Sequence, residues 1–402
     1  MILRLPRGRE LLLSYEMNAH PARTWAELRA ALRRWTLPVR ERVAPGEPFG
    51  IAPHIGEGLI GELAGARRRR EWKATLDEAG VFPFTVNAFP LKDFHAKRVK
   101  ERVYQPSWAR RRRAELTCKI ADLLAESLPE GRSGTISTLG GGYRGAGNSP
   151  AVKQRMAASY LHVVEHLARL ERGAGILIEL AAEPEPDTTL ETAADVVAFM
   201  EGFLLPAGRE QLQKALRISR ARAEECLRRH FTVNIDVCHQ AVLFRDPVEE
   251  WRALEAAGIR VAKLHLTNAL ALPNPRRSPA ALAELLGHDE PRYLHQCAGR
   301  RPDGTLWRGR DLGALRRAPL AELEELRVHF HVPLSRARIG RLHTTRTATA
   351  RALAHALRHP RPPHLVIETY TWPILASRRG PEALTAGIVR EFRWVLGEIA
   401  DC

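Results

Sequence analysis

Nine short apolar runs recur along this 402-residue chain, and most are followed by a segment whose apolar positions have helical spacing. Residues 11–15, 48–54, 83–89, 135–139, 175–183, 234–239, 262–267, 327–333 and 365–369 read as strands. Several are continuously apolar rather than alternating, as in strands of a parallel sheet covered on both faces. After the first run, Trp25, Leu28, Leu32 and Trp35 form a helical stripe opened by the capping-box pair Thr24 and Glu27. Ser149 and Pro150 open a longer helix with Met156, Tyr160, Val163, Leu167 and Leu170 on one face, and Asp246 and Pro247 open another that Gly258 closes. Thr188 and Glu191 repeat the capping-box spacing ahead of Val196, Phe199 and Met200, and a terminal helix carries Leu384, Ile388, Phe392, Val395 and Ile399.

Strand–helix units from end to end, with no Pro/Gly/Ser linker between halves, predict one α/β unit over residues 1–402, a single (β/α)8 TIM barrel. Residues 267–326 break the alternation with Pro and Arg clusters and read as an insertion, with a hairpin of 293–297 against 305–307. A barrel takes eight strands and nine runs are present, so one run lies outside the ring. The run bearing His329 and His331 is the first candidate, as a segment folding over the mouth.

Four of the runs end in chemistry. The stretch 175–187 passes from apolar residues into Glu183, Glu185 and Asp187 spaced by prolines; later runs end on Asp236, His265 and Glu368. In α/β folds ligands sit at the carboxyl ends of the strands. Two Glu, one Asp and one His there form a ligand set for one Mg²⁺, Mn²⁺ or Zn²⁺ with positions left open for a hydroxy-carbonyl substrate. An ion so held polarises a carbonyl while Glu183 and Glu368 serve as base and acid candidates. The bland alternative is that these carboxylates pair with Arg or cap helices. His239, three residues after Asp236, faces substrate or a second ion. His329 and His331 share a strand face, Tyr370 and Trp372 can wall a sugar-sized pocket, and His20, Asn87 and His95 lie near early strand ends.

The glycines of the 140–145 loop match G-x-G-x-x-G, but the acidic residue expected about twenty positions on is Glu165, inside a helix, so the dinucleotide reading fails. The loop, with Arg144, can let backbone approach a substrate or be a plain connection. Composition changes the picture in one respect. Hydrophobic residues at 45% and charged residues at 27% are ordinary for a globular chain, whereas 62 basic against 46 acidic residues leave a net charge of +16. Arginine is spread over nearly every helix, which disfavours nucleic acid as the partner; the runs 67–70 and 110–113 read as solvated faces. Five cysteines, Cys118, Cys226, Cys238, Cys297 and Cys402, show no disulfide or zinc-ribbon spacing, and no apolar run suggests a leader or a membrane span. A reducing cytoplasm is the expected compartment.

Further motifs include Asn18-Ala-His20-Pro21, Phe84-Thr-Val-Asn87-Ala-Phe-Pro90, Val99 to Trp108, Tyr293-Leu-His-Gln296, Val328-His-Phe-His331 and Ile367-Glu-Thr-Tyr370-Thr-Trp372. Together with Glu183-Pro-Glu185-Pro-Asp187 and Ile235-Asp-Val-Cys-His239, this combination resembles the EboE family of metabolite traffic proteins, within the xylose isomerase-like barrels. The resemblance implies a divalent-metal barrel related to sugar isomerases, epimerases and apurinic endonucleases, acting with other proteins of a secondary-metabolite export cluster. It places Glu183, Asp236 and Glu368 on the superfamily's metal carboxylates and His265 on its histidine. Glu16-Met17 and Ala22-Arg23 depart from the family's pattern, so the first-strand wall of the pocket is this chain's own. Three readings stand: an isomerase or epimerase acting on a small hydroxy-carbonyl or sugar-like metabolite, a metal-dependent phosphodiesterase, and a non-catalytic metabolite carrier.

Overall fold

The computed structural model describes residues 1–372 and 380–400, which leaves Cys402 outside. Strands β1 (Ile2–Arg4), β2 (Glu10–Tyr15), β3 (Phe49–Ile51), β4 (Val81–Pro83), β5 (Thr85–Asn87), β6 (Gly134–Leu139), β7 (Ile178–Glu183), β8 (Phe231–Asp236) and β9 (Val261–Leu266) follow in order. Next come β10 (Asn268–Pro273), β11 (Cys297–Arg300), β12 (Leu306–Gly309), β13 (Glu325–Val332), β14 (Arg338–Ile339) and β15 (Leu342–Thr344), and β16 (His364–Ile367) is last.

The largest sheet has the order β1-β2-β16-β9-β8-β7-β6-β5, parallel throughout except for the β1–β2 hairpin. β3 and β4 pair in parallel beside it, and single parallel bridges join Glu16 to Ala52 and His54 to Asn87. The sheet curls strongly, as bonds between strands that are not neighbours prove. Lys263 on β9 donates to Ser137 Oγ on β6 at 2.9 Å, and Thr135 on β6 meets the His364 ring on β16 at 3.0 Å. The inward positions beneath the strand ends are therefore polar, where such interiors usually hold layers of branched aliphatics.

Helices cover the outer face. The caps at Ser149/Pro150 and Asp246/Pro247 form as expected, and Thr24 accepts from the Glu27 N–H, although the Glu27 carboxylate turns back to the Arg23 N–H rather than closing the box on Thr24. The pair at Thr188/Glu191 does not form: the helix starts at Ala193, boxed by Thr192 and Asp195, while the Thr188 hydroxyl bonds the carbonyls of Glu185 and Leu190 and Glu191 pairs with Arg308. The arginine runs also need correction. Arg67 and Arg68 pair with Glu71, Arg69 with Glu126 and Arg112 with Glu57, but Arg113 is fully buried. Its guanidinium donates to the carbonyls of Pro106, Ala88 and Phe89 and to Thr138 Oγ1, tying together the loops that follow β5.

Between β9 and the helix Arg346–Arg358 the chain leaves the parallel sheet and builds an antiparallel one, ordered β12-β11-β13-β10-β15-β14. Leu270, Leu272, Leu285, Leu312, Leu326, Val328, Phe330 and Leu342 give it a core of its own. Its later strands lie beyond residue 326, where the insertion read from the sequence ends. The hairpin is β11 with β12, pairing Cys297 with Gly309, so Tyr293 to Gln296 precede it as a connecting segment. β13, which carries His329 and His331, is the central strand of this second sheet.

The terminal helix Pro381–Ala400 is pinned by Glu391, whose buried carboxyl accepts from Thr369 Oγ1 at 2.6 Å, Trp372 Nε1 at 2.9 Å and Leu334 N at 3.1 Å. Burial pushes this carboxyl up to about 7, against the pull of those donors. The folded chain thus holds the proton more tightly than the unfolded chain. Stability from this group is complete below the ordinary value of 4.5 and is lost as pH rises through about 7. Glu391→Gln is expected to flatten the decline of the urea midpoint between those pH values; a wild-type slope in the variant would show that another group sets it.

Candidate metal centre

Parallel register brings four strand ends level. Asp236 pairs directly with His265, Glu183 with Leu139, and Ile367, the residue before Glu368, with both Leu266 and Tyr15. The two-residue period then turns Glu183, Asp236 and His265 into the curl. Ligand atoms of Glu183, Asp236, His265 and Glu368 all lie within 4.8 Å of one another, and all four residues are buried. His265 Nδ1 is 3.0 Å from Glu368 Oε2, 3.4 Å from Glu183 Oε1 and 3.5 Å from Asp236 Oδ2.

Each carboxylate is held from behind. Asn234 Nδ2 donates to Glu183 Oε2 at 2.9 Å and Asn18 Nδ2 to Glu368 Oε1 at 2.7 Å. Asp236 Oδ1 accepts from the His239 N–H at 3.0 Å and the Thr267 hydroxyl at 2.7 Å, while its Oδ2 is buried without any hydrogen-bond partner. An anionic oxygen in that position carries its full desolvation cost unless a cation meets it. Burial works against charge throughout the cluster and is overcome. His239, His331 and His265 hold Asp236 well below the usual carboxylate range, and His265 draws Glu368 down to about 2. Glu368 and Glu183 in turn hold His265 well above the usual imidazole range, despite its burial and the nearby Lys263 ammonium. Hard oxygens plus one imidazole, with one oxygen orphaned, fit a divalent ion such as Mg²⁺, Mn²⁺ or Zn²⁺.

Three more imidazoles stand beside this cluster, and their proton positions follow from their acceptors. His239 Nδ1 faces the Pro184 carbonyl at 3.2 Å and His331 Nδ1 the Glu368 carbonyl at 3.1 Å. His329 Nδ1 faces Gln296 Oε1 at 2.6 Å, and the Gln296 amide nitrogen points to Tyr104 Oη, Glu185 Oε1 and the Pro186 carbonyl, which fixes that amide's orientation. Every Nδ1 is therefore the N–H, and every neutral ring presents a bare Nε2. The Nε2 atoms of His329 and His331 meet at 3.0 Å. Burial, reinforced by the neighbouring imidazoles, holds His329 well below its ordinary value, and burial lowers His331. Two facing lone pairs need a proton or a cation between them. Ligand atoms of Asp236, His239 and His331, and of Glu185, His239 and His329, also fall within 4.8 Å.

Glu183, Glu185, His239, His329, His331 and Glu368 line a cavity of about 50 Å³ with Asn18, Asn87, Phe89, Pro90, Phe94, Val103 and Tyr370. Phe94, Tyr293 and Tyr370 form an aromatic cluster beside it, with ring centroids 4.8–5.2 Å apart. Among the described lining residues there is no Lys or Arg. Four other candidates lie elsewhere. His20 is stacked on Trp35 at 4.8 Å and bonded to Tyr15 Oη at 3.0 Å, a packed core histidine. Trp372 turns to Glu391 and Gly387 of the terminal helix, and His95 packs against Phe94 outside the cavity. Arg144 pairs with Glu191 and Asp195 rather than facing the cavity. Residues to which the sequence alone gave no role in the site include Glu185, Asn18, Asn234, Gln296 and Phe94. For Asn234, the signal was present: it lies two residues before Asp236 on the same strand face. Glu185 is pushed up to about 7 by burial, and its Oε2 has no partner.

No protein-family model and no curated protein sequence matches the chain. Among solved structures, a xylose isomerase domain protein from Planctomyces limnophilus is similar over 97% of this chain and 99% of its own, at 14% identity and a TM-score of 0.50. A xylose isomerase-like TIM barrel protein from Mycobacterium smegmatis, in complex with magnesium, aligns over 98% of this chain and 94% of its own at 13% identity and a TM-score of 0.45. The probable 3-DHS dehydratase AsbF from Bacillus anthracis aligns over 64% and 74% at 13% identity and a TM-score of 0.37. The first likeness shows the fold alone: the α/β fold of this chain is similar to that of a xylose isomerase domain protein. Among the described residues no helix is long and apolar enough to cross a membrane.

Proposed function

We propose that the chain is a divalent-metal-dependent enzyme that moves a proton between carbons of a small, uncharged hydroxy-carbonyl or sugar-like molecule, as isomerases and epimerases do. The observation that carries this reading is the convergence of Glu183, Asp236, His265 and Glu368 within 4.8 Å at four strand ends, with Asp236 Oδ2 unpartnered. Closure of the curled sheet into a full (β/α)8 barrel, through the bridges at Ala52 and Asn87, belongs to the same reading. So does an EboE-like place in a cytoplasmic step of metabolite export, which rests on the sequence motifs.

A bound divalent ion would polarise the substrate carbonyl. Glu183 and Glu368, each with one oxygen tied to an asparagine, face the substrate carbons as base and acid candidates; because Glu368 is held down to about 2, the proton returned to carbon is one first taken from carbon. The buried, unpartnered Glu185 Oε2 and Asn18 Oδ1 take hydroxyl protons or amide-like donors from the substrate. Phe89, Phe94 and Tyr370 supply the apolar wall that a ring's C–H face needs, and the lining among the described residues holds no Lys or Arg to pair with a phosphate or carboxylate group.

The bare, facing Nε2 atoms of His329 and His331 favour a second reading, in which two ions serve phosphodiester hydrolysis. Elemental analysis of protein purified without an affinity metal separates these. About one ion per chain, with deuterium entering a sugar or keto-polyol in D₂O, supports the isomerase reading; two or three ions with cleavage of a phosphodiester support the other. No ion and no turnover after Mn²⁺, Mg²⁺ or Zn²⁺ is offered would leave the chain as a carrier.

A further inference from the structure

Two buried charges beneath the centre are used by neither reading. Lys263 sits two residues before His265 on β9 and is fully buried; Glu16, the residue after β2, is 1% exposed. The strand period places Lys263 on the same face as His265, one step deeper. Its ammonium donates to Ser137 Oγ at 2.9 Å and to Glu16 Oε2 at 3.4 Å. The same Glu16 oxygen lies 3.7 Å from His265 Nε2, the ring nitrogen not turned to the three carboxylates. Burying both ions carries a desolvation penalty, and apolar residues of similar volume are often as stable or more so. Packing therefore gives no reason for the pair.

The proton position on His265 supplies one. His265 Nδ1 is the ring nitrogen turned to the oxygens of Glu183, Asp236 and Glu368, so a neutral ring that offers its Nδ1 lone pair to an ion there carries its hydrogen on Nε2. That Nε2 has no hydrogen-bond partner, and neither has Glu16 Oε1. We propose that Glu16, anchored by Lys263, is a positioning residue for the metal centre: its carboxylate attracts the Nε2 hydrogen of His265 and keeps the Nδ1 lone pair turned to the three carboxylates. Outer partners of metal-ligating imidazoles typically change metal affinity by about 10–100-fold. The inference rests on Glu183, Asp236, His265 and Glu368 being a metal centre.

The test uses the full chain stripped of metal, titrated with Mn²⁺ by calorimetry and with Co²⁺ by visible absorption, next to urea unfolding. Glu16→Met alone strands the Lys263 charge, so the deciding variant is Glu16→Met/Lys263→Met, which removes both. It is expected to unfold near the wild-type midpoint yet bind Mn²⁺ about 10–100-fold more weakly with an altered Co²⁺ spectrum. Glu16→Gln/Lys263→Met retains an oxygen that accepts from Nε2 and is expected to recover affinity to within a few-fold. Wild-type affinity and spectrum in the methionine double variant, or equal weakness in both double variants, would overturn the proposal. A wild type that binds no divalent ion would instead remove the metal centre itself.

Discussion

Asp236→Asn is expected to weaken divalent-metal binding by more than about 100-fold, beyond what the loss of an outer partner costs, while the fold survives. The substitution is unusually clean at this position. Asp236 Oδ1 caps the helix Val237–Val242 through the His239 N–H and accepts the Thr267 hydroxyl, and an asparagine oxygen does both. Only the orphaned Oδ2 changes, from an anionic oxygen to an amide nitrogen that cannot ligate. Calorimetric Mn²⁺ titration with circular dichroism on the same samples checks both halves. Unchanged affinity would show that Oδ2 faces no ion and would sink the metal reading; lost affinity with a lost fold would place Asp236 in the core instead.

Arg113→Leu is expected to lower stability by about 3 kcal/mol or more, the largest effect anticipated away from the centre. The guanidinium is fully buried and meets carbonyls, not carboxylates: Ala88 and Phe89 each at 3.0 Å, and Pro106. Leucine fills part of the volume and satisfies none of these groups, each of which then costs about 1–3 kcal/mol. Burial of the guanidinium, which pushes it down to about 9, offsets some of that loss. Because Phe89 and Pro90 line the cavity, metal-dependent turnover should fall along with the urea midpoint. A midpoint shift equivalent to less than about 0.5 kcal/mol, the range of an ordinary surface change, would mean that water replaces the side chain.

The buried Arg113 also shows where local sequence stops being informative. Four consecutive arginines read as a solvated face because charge is normally exposed, and three of the four are. Which one turns inward depends on where the carbonyls of residues 88, 89 and 106 lie, and those come from two other loops. Trp372 is a similar case. It follows Glu368 closely enough to read as a pocket wall, but the backbone beyond the strand turns it toward Glu391, some twenty residues on. The Thr188/Glu191 spacing suits a capping box, yet Arg308, more than a hundred residues away, takes Glu191.

Glu183, Asp236, His265 and Glu368 were legible because two local rules act together on them. A run of strand-forming residues defines an end, and the two-residue period defines a face, so a polar residue at the end of a buried parallel strand has one place to go. The same rules place Asn234 and Lys263 inward, as polar residues inside apolar strands. The chain by itself thus determined a parallel α/β fold and the carboxylates and imidazole at its strand ends. The tertiary structure decided that the sheet curls far enough for Lys263 to reach Ser137 and Glu16, and that β13 pairs with β10 and β11 to bring His329 and His331 above Asp236. The physical reason is range: periodicity and capping act within one element, whereas the orientation of an imidazole or the burial of a charge is set by partners on other elements, from Pro106 near Arg113 to Glu16 far along the chain from Lys263.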